Sequence, residues 1–271
     1  MMKKTHPQKK HTQYISIANQ KGGVGKTTTT VNLATSLAAV GKKTLIVDLD
    51  PQGNASTGFG VDRAERINGS YEVLFGECTI EQSAVKTCVP KLDIIPSSVH
   101  LSGAEIELVN ARSREMRLQK AFSKVEGLYD YVLFDCPPSL NLLTLNALVA
   151  SNGVIVPLQC EFYALEGLSH LVKTIERVKL SFNPELDLKG IVLTMYDKRN
   201  NLSLQVEEDV RKHFGDKVYK TVIPRNVRVS EAPSYGLPAI VYDMKCPGSQ
   251  AYILLAKELL RGQKPKVRMA A

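Results

Sequence analysis

Lys21-Gly22-Gly23-Val24-Gly25-Lys26-Thr27-Thr28 is the stretch that decides the reading of this 271-residue chain. An ordinary phosphate-binding loop reads G-x-x-x-x-G-K-[ST]; Gly25, Lys26 and Thr27 fit its end, whereas Gln20 stands where its first glycine belongs. What replaces the standard pattern is a glycine-rich loop with a lysine at each end. It follows the apolar run Tyr14-Ile15-Ser16-Ile17-Ala18 and precedes a helical pattern that starts near Lys26. Gly22, Gly23 and Gly25 allow positive φ and let backbone N–H groups approach an anion, while the following helix points its positive end at the same place. Lys26 is placed to reach the outer phosphates of a nucleotide and the Thr27 hydroxyl to reach a magnesium ion.

Working outward, Lys43 to Leu49 reads as a buried strand ending in Asp48-Leu49-Asp50-Pro51-Gln52, and Tyr131 to Phe134 as a second one ending at Asp135 before Cys136-Pro137-Pro138-Ser139. Alternation puts Asp48 and Asp50 on one side. An apolar strand closed by one aspartate suits a carboxylate that holds magnesium directly or through water. Further strands are expected at Leu92 to Ile95, Gly153 to Pro157, Leu188 to Met195 and Val218 to Ile223. Helices are expected at Lys26 to Val40, Gly103 to Val125, Leu140 to Ala150, Ala164 to Leu180, Ser203 to Phe214 and Ser249 to Leu260. This alternation predicts one α/β domain over residues 13–262, a mostly parallel sheet with helices on both faces and ligands at the carboxyl ends of the strands. Residues 1–12 read as a disordered basic arm and 263–271 as a basic tail.

Composition narrows the class. A hydrophobic content of 44% supports a sizeable core, and no run approaches the length of a membrane span or a signal sequence, so a cytoplasmic protein is expected. Five cysteines without a C-x-x-C pair read as reduced thiols. The net charge of +8 is uneven: residues 1–26 carry six lysines and no acid, residues 187–271 a net +6, and the stretch between them a net −4. Basic ends that met in space would face a polyanion; a solvated surface with charged tails fits the same count.

The run Ala18 to Thr28 resembles the deviant Walker A motif of the ParA/MinD ATPases, and the resemblance to the ParA (Soj) branch continues through Ile15–Gly58, Asp130–Gly167 and Gly190–Pro238. It implies a single-domain P-loop NTPase fold and an ATPase that uses ATP and Mg2+ and forms a homodimer around two nucleotides. In that family the extra lysine crosses to the partner's nucleotide, which implies that Lys21 acts in trans and Lys26 in cis. Asp50, in the D-x-D-P-Q motif, would orient the attacking water, with Thr27, Asp48 and Asp135 around the magnesium. Gly22, Gly23, Val24, Gly25, Lys26, Thr27 and Thr28 would hold the phosphates, and Pro224-Arg225-Asn226 the adenine. Arg199 and Arg228 match arginines that contact double-stranded DNA without sequence preference; Lys198, Arg211, Lys212 and Lys220 are candidates to extend the patch.

A ParB-type centromere-binding protein is the implied partner in chromosome or plasmid partitioning, with association to the nucleoid. No helix-turn-helix arm precedes the loop. The end of the chain, Arg261 to Ala271, carries Gly262 and Pro265 and few large apolar residues, which argues against the membrane-binding amphipathic helix of MinD. The alternative is a related ATPase that positions another cargo or serves metal-cluster metabolism. Cys136 prompts the comparison with an iron–sulfur relative, but no second cysteine stands at matching spacing, and it reads as a small core residue.

Overall fold

Seven strands of apolar sequence form one sheet in the computed structural model, which describes residues 11–262. They are β1 (Gln13–Ile17), β2 (Thr44–Asp48), β3 (Val85–Lys86), β4 (Leu92–Ile95), β5 (Tyr131–Asp135), β6 (Gly153–Gln159) and β7 (Asp187–Thr194). Their order is β3-β4-β2-β5-β1-β6-β7; every pairing is parallel except that of the short edge strand β3 with β4. Parallel strands need crossovers, and the helices that supply them cover both faces. On β5 the alternation is visible: Val132 and Phe134 enter one core layer, Tyr131 and Leu133 the other. The second layer packs beneath Leu33 and Leu37 of the helix Lys26–Ala39 and Tyr252 and Leu255 of the helix Pro247–Gly262.

The sheet order turns back at β1, which lies between β5 and β6. A crevice at such a switch point is where open α/β sheets bind ligands. Register sharpens this: Ile17 and Asp48 both pair with Asp135, so β1, β2 and β5 end at one level beside the glycine loop.

Three expectations change. Gly103 to Val125 is not one helix but Leu101–Val109, a 3-10 turn at Arg114–Met116 and Arg117–Phe122, separated at Ser113 with φ 51°. The cause is remote. Buried Asn146, on the helix Leu142–Ala150, accepts from the N–H groups of Arg117 (3.0 Å) and Leu118 (3.3 Å) and donates to the Arg114 carbonyl (2.7 Å), capping a helix start that its own neighbours do not cap.

Val218 to Ile223 is not a strand. It meets β7 through a single bridge at Ile191–Val218, with one more at Tyr196–Pro224 just beyond both, while the Lys220 and Thr221 N–H groups donate to the Glu258 carboxylate at 2.7 and 3.0 Å. Thr12, read as part of the arm, is buried, its hydroxyl donating to the Tyr129 carbonyl at 2.8 Å. The rest of the arm and the 263–271 tail lie outside the described residues.

Asn146→Ala strands two N–H groups and a carbonyl in the core, and a loss on the order of 3 kcal/mol in urea unfolding is expected. A loss under about 0.5 kcal/mol would show that the break at Ser113 does not depend on this side chain.

Candidate functional site

The glycine loop between β1 and the helix Lys26–Ala39 is held from three sides. Asn19 donates to the Pro157 carbonyl at 2.7 Å and accepts from the Lys21 N–H at 3.0 Å; Thr194, ending β7, donates its hydroxyl to the Val24 carbonyl at 2.8 Å. Gly23 and Gly25 have φ of 75° and 86°, conformations that disfavour any side chain. Gly22 stays outside that region, its α-carbon facing Pro138. Gly25 is the N-cap and offers no side chain, and no acidic residue stands in the first turn, so the helix presents uncapped N–H groups to the space in front of it.

That space is a cavity of about 420 Å³. Gly22, Gly23, Gly25, Lys26, Thr27 and Thr28 line one end, Asp50 a side, and Pro224, Arg225 and Asn226 the far end. The sequence reading missed Gln52, Asn54, Met195 and Tyr252, which also line it. Met195 is non-glycine with φ 49°, a strain of on the order of 1–3 kcal/mol at the cavity wall, and nothing in the local sequence announces it. Val24 is buried behind the loop, and Lys21, Arg199 and Arg228 lie outside the cavity.

Below the cavity sit the two strand-end carboxylates, both inaccessible to water. Asp48 accepts from the Ser56 N–H (2.9 Å) and hydroxyl (2.7 Å) and from the Asp50 N–H (3.2 Å), so both of its oxygens are engaged. Asp135 accepts from the Thr30 hydroxyl at 2.8 Å through one oxygen, while its Oδ2 is buried without a hydrogen-bond partner. Burial, then the charge of Asp48, pushes the Asp135 carboxyl up in pKa, against the lowering influence of the Thr27 and Thr30 hydroxyls. Burial raises Asp48 too, with the Ser56 bonds opposing. Lys26 is buried and its Nζ donates to the Lys21 carbonyl at 2.9 Å; desolvation lowers its pKa, opposed by Asp135, Cys136 and Asp50.

A buried carboxylate oxygen with no donor, near a threonine hydroxyl, fits a hard cation that takes oxygen ligands. Uncapped N–H groups beside a lysine ammonium fit phosphate. Arg66 completes the frame and was missed by the sequence reading. Its buried guanidinium donates to the carbonyls of Val61 (2.8 Å), Gly53 (3.2 Å) and Ser97 (3.4 Å) and to the Thr57 hydroxyl (2.9 Å), fixing the segment that follows Asp50.

The three cations assigned to phosphates outside their own chain each meet a carboxylate of that chain. Lys21 pairs with Glu161. Arg199 donates through Nε and Nη2 to Asp197 at 3.0 and 2.9 Å. Arg228 donates to Glu231 at 3.1 Å and lies 3.8 Å from Asp243. Of the side chains offered as extensions of the patch, Arg211 is used inside the fold, on Glu207 at 2.8 Å and the Tyr219 carbonyl at 3.1 Å.

Comparison with known proteins agrees with this architecture. Residues 12–188 match the family described as an AAA domain. The chain is 58% identical over 259 residues to the chromosome partitioning protein ParA of Caulobacter vibrioides, covering 95% of this chain and 97% of that one. It is 54% identical over 245 residues to the sporulation initiation inhibitor protein Soj of Bacillus subtilis, covering 90% and 97%. Among solved structures, cobyrinic acid a,c-diamide synthase from Mycobacterium smegmatis with a bound ATP analog and magnesium superposes with a TM-score of 0.81 at 38% identity, covering 92% of this chain and 95% of that one. A loop with two lysines, aspartates ending β2 and β5, and relatives matched along nearly their whole length converge: the chain belongs to the ParA (Soj) branch of the ParA/MinD family of P-loop ATPases.

Proposed function

We propose that this ATPase is a nucleotide-gated DNA-positioning switch: two copies close face to face around two ATP molecules, the pair binds double-stranded DNA without sequence preference, and hydrolysis reopens it. A ParB-type centromere-binding protein stimulates turnover, and the cargo is a chromosome or a plasmid. The protein works in the cytoplasm on the nucleoid; among the described residues no helix is long and apolar enough to cross a membrane. The observation that carries the reading is the placement of the two loop lysines. Lys26 is buried at the cavity, whereas Lys21 stands outside it on the surface, paired with Glu161, which supports a role for Lys21 away from its own chain's phosphate site.

Each residue then has a task. Gly22, Gly23, Val24 and Gly25 shape the loop whose N–H groups hold the phosphates, Thr28 lines it, and Lys26 exchanges the Lys21 carbonyl for the β- and γ-phosphate oxygens. Pro224, Arg225 and Asn226 hold the adenine, with the arginine plane available for stacking. Thr27 and Asp135 would hold magnesium, with Asp48 beside them acting by charge and by fixing the Asp50 segment through Ser56. The bound ion would neutralise charge on the phosphates and restrain their geometry. Asp50 orients a water against the γ-phosphorus; the bond to the ADP oxygen breaks, and ADP and phosphate leave. Lys21 of the second copy adds positive charge to the transferred group.

DNA binding by an unrelated duplex at fixed salt, with no nucleotide, with ADP and with a slowly hydrolysed ATP analogue, tests the switch alongside light scattering for dimers. Binding and dimers only with the analogue are expected. Dimers that ignore DNA would favour the alternative of a non-DNA cargo. Lys26→Ala is expected to lose nucleotide binding. Asp50→Ala keeps dimers and DNA binding but loses turnover by about 100-fold or more. Arg228→Glu keeps dimers and loses DNA. Normal hydrolysis by Asp50→Ala, or unchanged DNA binding by Arg228→Glu, would reverse those assignments.

Asp135→Asn replaces a buried carboxyl whose pKa burial has pushed up to about 8 and that lacks a full set of donors, so Tm without ligand at neutral pH should stay level or rise, while the magnesium-dependent part of nucleotide stabilisation disappears. A lowered unliganded Tm with the magnesium effect intact would give Asp135 a purely structural role.

A further inference from the structure

Arg199 and Arg228 sit on different elements, yet each is already paired. Arg199, with its side chain 86% exposed, lies on the loop after β7 and forks onto Asp197. Arg228 is the second residue of the helix Val227–Glu231 and reaches Glu231 and Asp243; the Tyr242 hydroxyl, 3.4 Å from the same Glu231 oxygen, backs that carboxylate, and its ring stacks on Tyr235. Nε and Nη2 of Arg199 meeting the two oxygens of one carboxylate is also how a guanidinium grips a phosphate. The Asp197 carboxyl is held at about 2 by this partner, so it stays charged throughout the neutral range.

We propose that Asp197, together with Glu231 and Asp243, stands in for DNA phosphate on the surface that carries Arg199 and Arg228, so that the surface binds a polyanion only by exchanging internal carboxylates for external phosphates. This rests on the reading of those arginines as DNA contacts and adds its regulation. An internal carboxylate two or three residues away is always at hand, and one phosphate offers an arginine little that it lacks. A row of phosphates met by several arginines at once gains through linkage what no single exchange gains. The mask therefore penalises a lone chain with two such arginines more than a pair with four, and sharpens the dependence of DNA binding on dimer formation.

Both masks are also next to the nucleotide cavity. Met195, four residues before Arg199, lines it, and so does Asn226, two residues before Arg228. The Tyr196 N–H donates to Ile223 at 2.9 Å and the Arg225 N–H to Tyr196 at 3.2 Å, joining the loop of Arg199 to the segment assigned to adenine. Asp197 lies within the field of Arg225 itself.

Asp197→Asn and Glu231→Gln in the full chain test the proposal. Asparagine keeps the turn that Asp197 makes with the Arg199 N–H. Each substitution is expected to tighten nucleotide-free binding to an unrelated duplex by about two- to fivefold, the scale of one exposed ion pair, and less as salt rises. The ratio of affinities with and without the ATP analogue should fall accordingly. Adding Arg199→Ala to Asp197→Asn should erase the gain. Unchanged or weaker DNA binding by both single variants, with nucleotide-induced stabilisation normal, overturns the mask. If Arg199→Ala and Arg228→Glu alone leave analogue-dependent binding untouched, it is the assignment of the DNA contacts that fails.

Discussion

Two carboxylates, in register at the ends of neighbouring strands and sealed from water, set the terms for the rest of this molecule. Asp48 and Asp135 lie where no solvent can screen them, and burial together with the neighbouring Asp48 pushes the Asp135 carboxyl up to about 8, so the pair resists carrying two charges at once. The surrounding structure answers for Asp48 with donors from Ser56 and Asp50, and so fixes the segment that carries Asp50. For Asp135 it answers by half, through Thr30, and leaves one oxygen bare. Lys26 stands within the field of Asp135 and Asp50, yet its ammonium donates to the Lys21 carbonyl. A fold selected only for stability would not keep such a corner. A bare, buried carboxyl oxygen beside a lysine is chemistry that a hard cation and a phosphate chain would relieve, which suits the magnesium and nucleotide proposed for it.

The same corner is wired outward by ordinary hydrogen bonds. Thr194 ties the end of β7 to the glycine loop through Val24, and the next residue, Met195, is bent into a left-handed conformation. Beyond it Tyr196 exchanges backbone bonds with Ile223 and Arg225. From the loop to the exposed surface the structure is thus joined by one side-chain hydrogen bond and then by backbone, with one strained residue at the cavity.

What could be read from the sequence was what lies close together in it. The loop from Lys21 to Thr28, the aspartates ending β2 and β5, and six of the seven strands follow from local pattern. What could not be read depends on side chains that arrive from elsewhere. Asn146 caps Arg117 from another helix, Arg66 gathers the carbonyls of Gly53, Val61 and Ser97, and Glu258 takes the donors that would have made Val218 to Ile223 a strand. The period of the apolar residues in Gly103 to Val125 is helical on both sides of Ser113, so the break leaves no mark in it. β3, two residues long, is too short for any alternation to be seen.

The segment that Glu258 diverts has a further effect, on how the sheet ends. The outward carbonyls of β7 are taken one by one: Leu188 by the Lys217 ammonium, Ile191 by the Tyr219 N–H and Leu193 by the Ile223 N–H. At the opposite margin β3 runs antiparallel and stops after two residues, with exposed Lys86 at its end. Neither margin offers a long row of free peptide groups on which another molecule could lay a strand. A second copy that approaches either margin therefore meets side chains and occupied carbonyls before it meets an open edge.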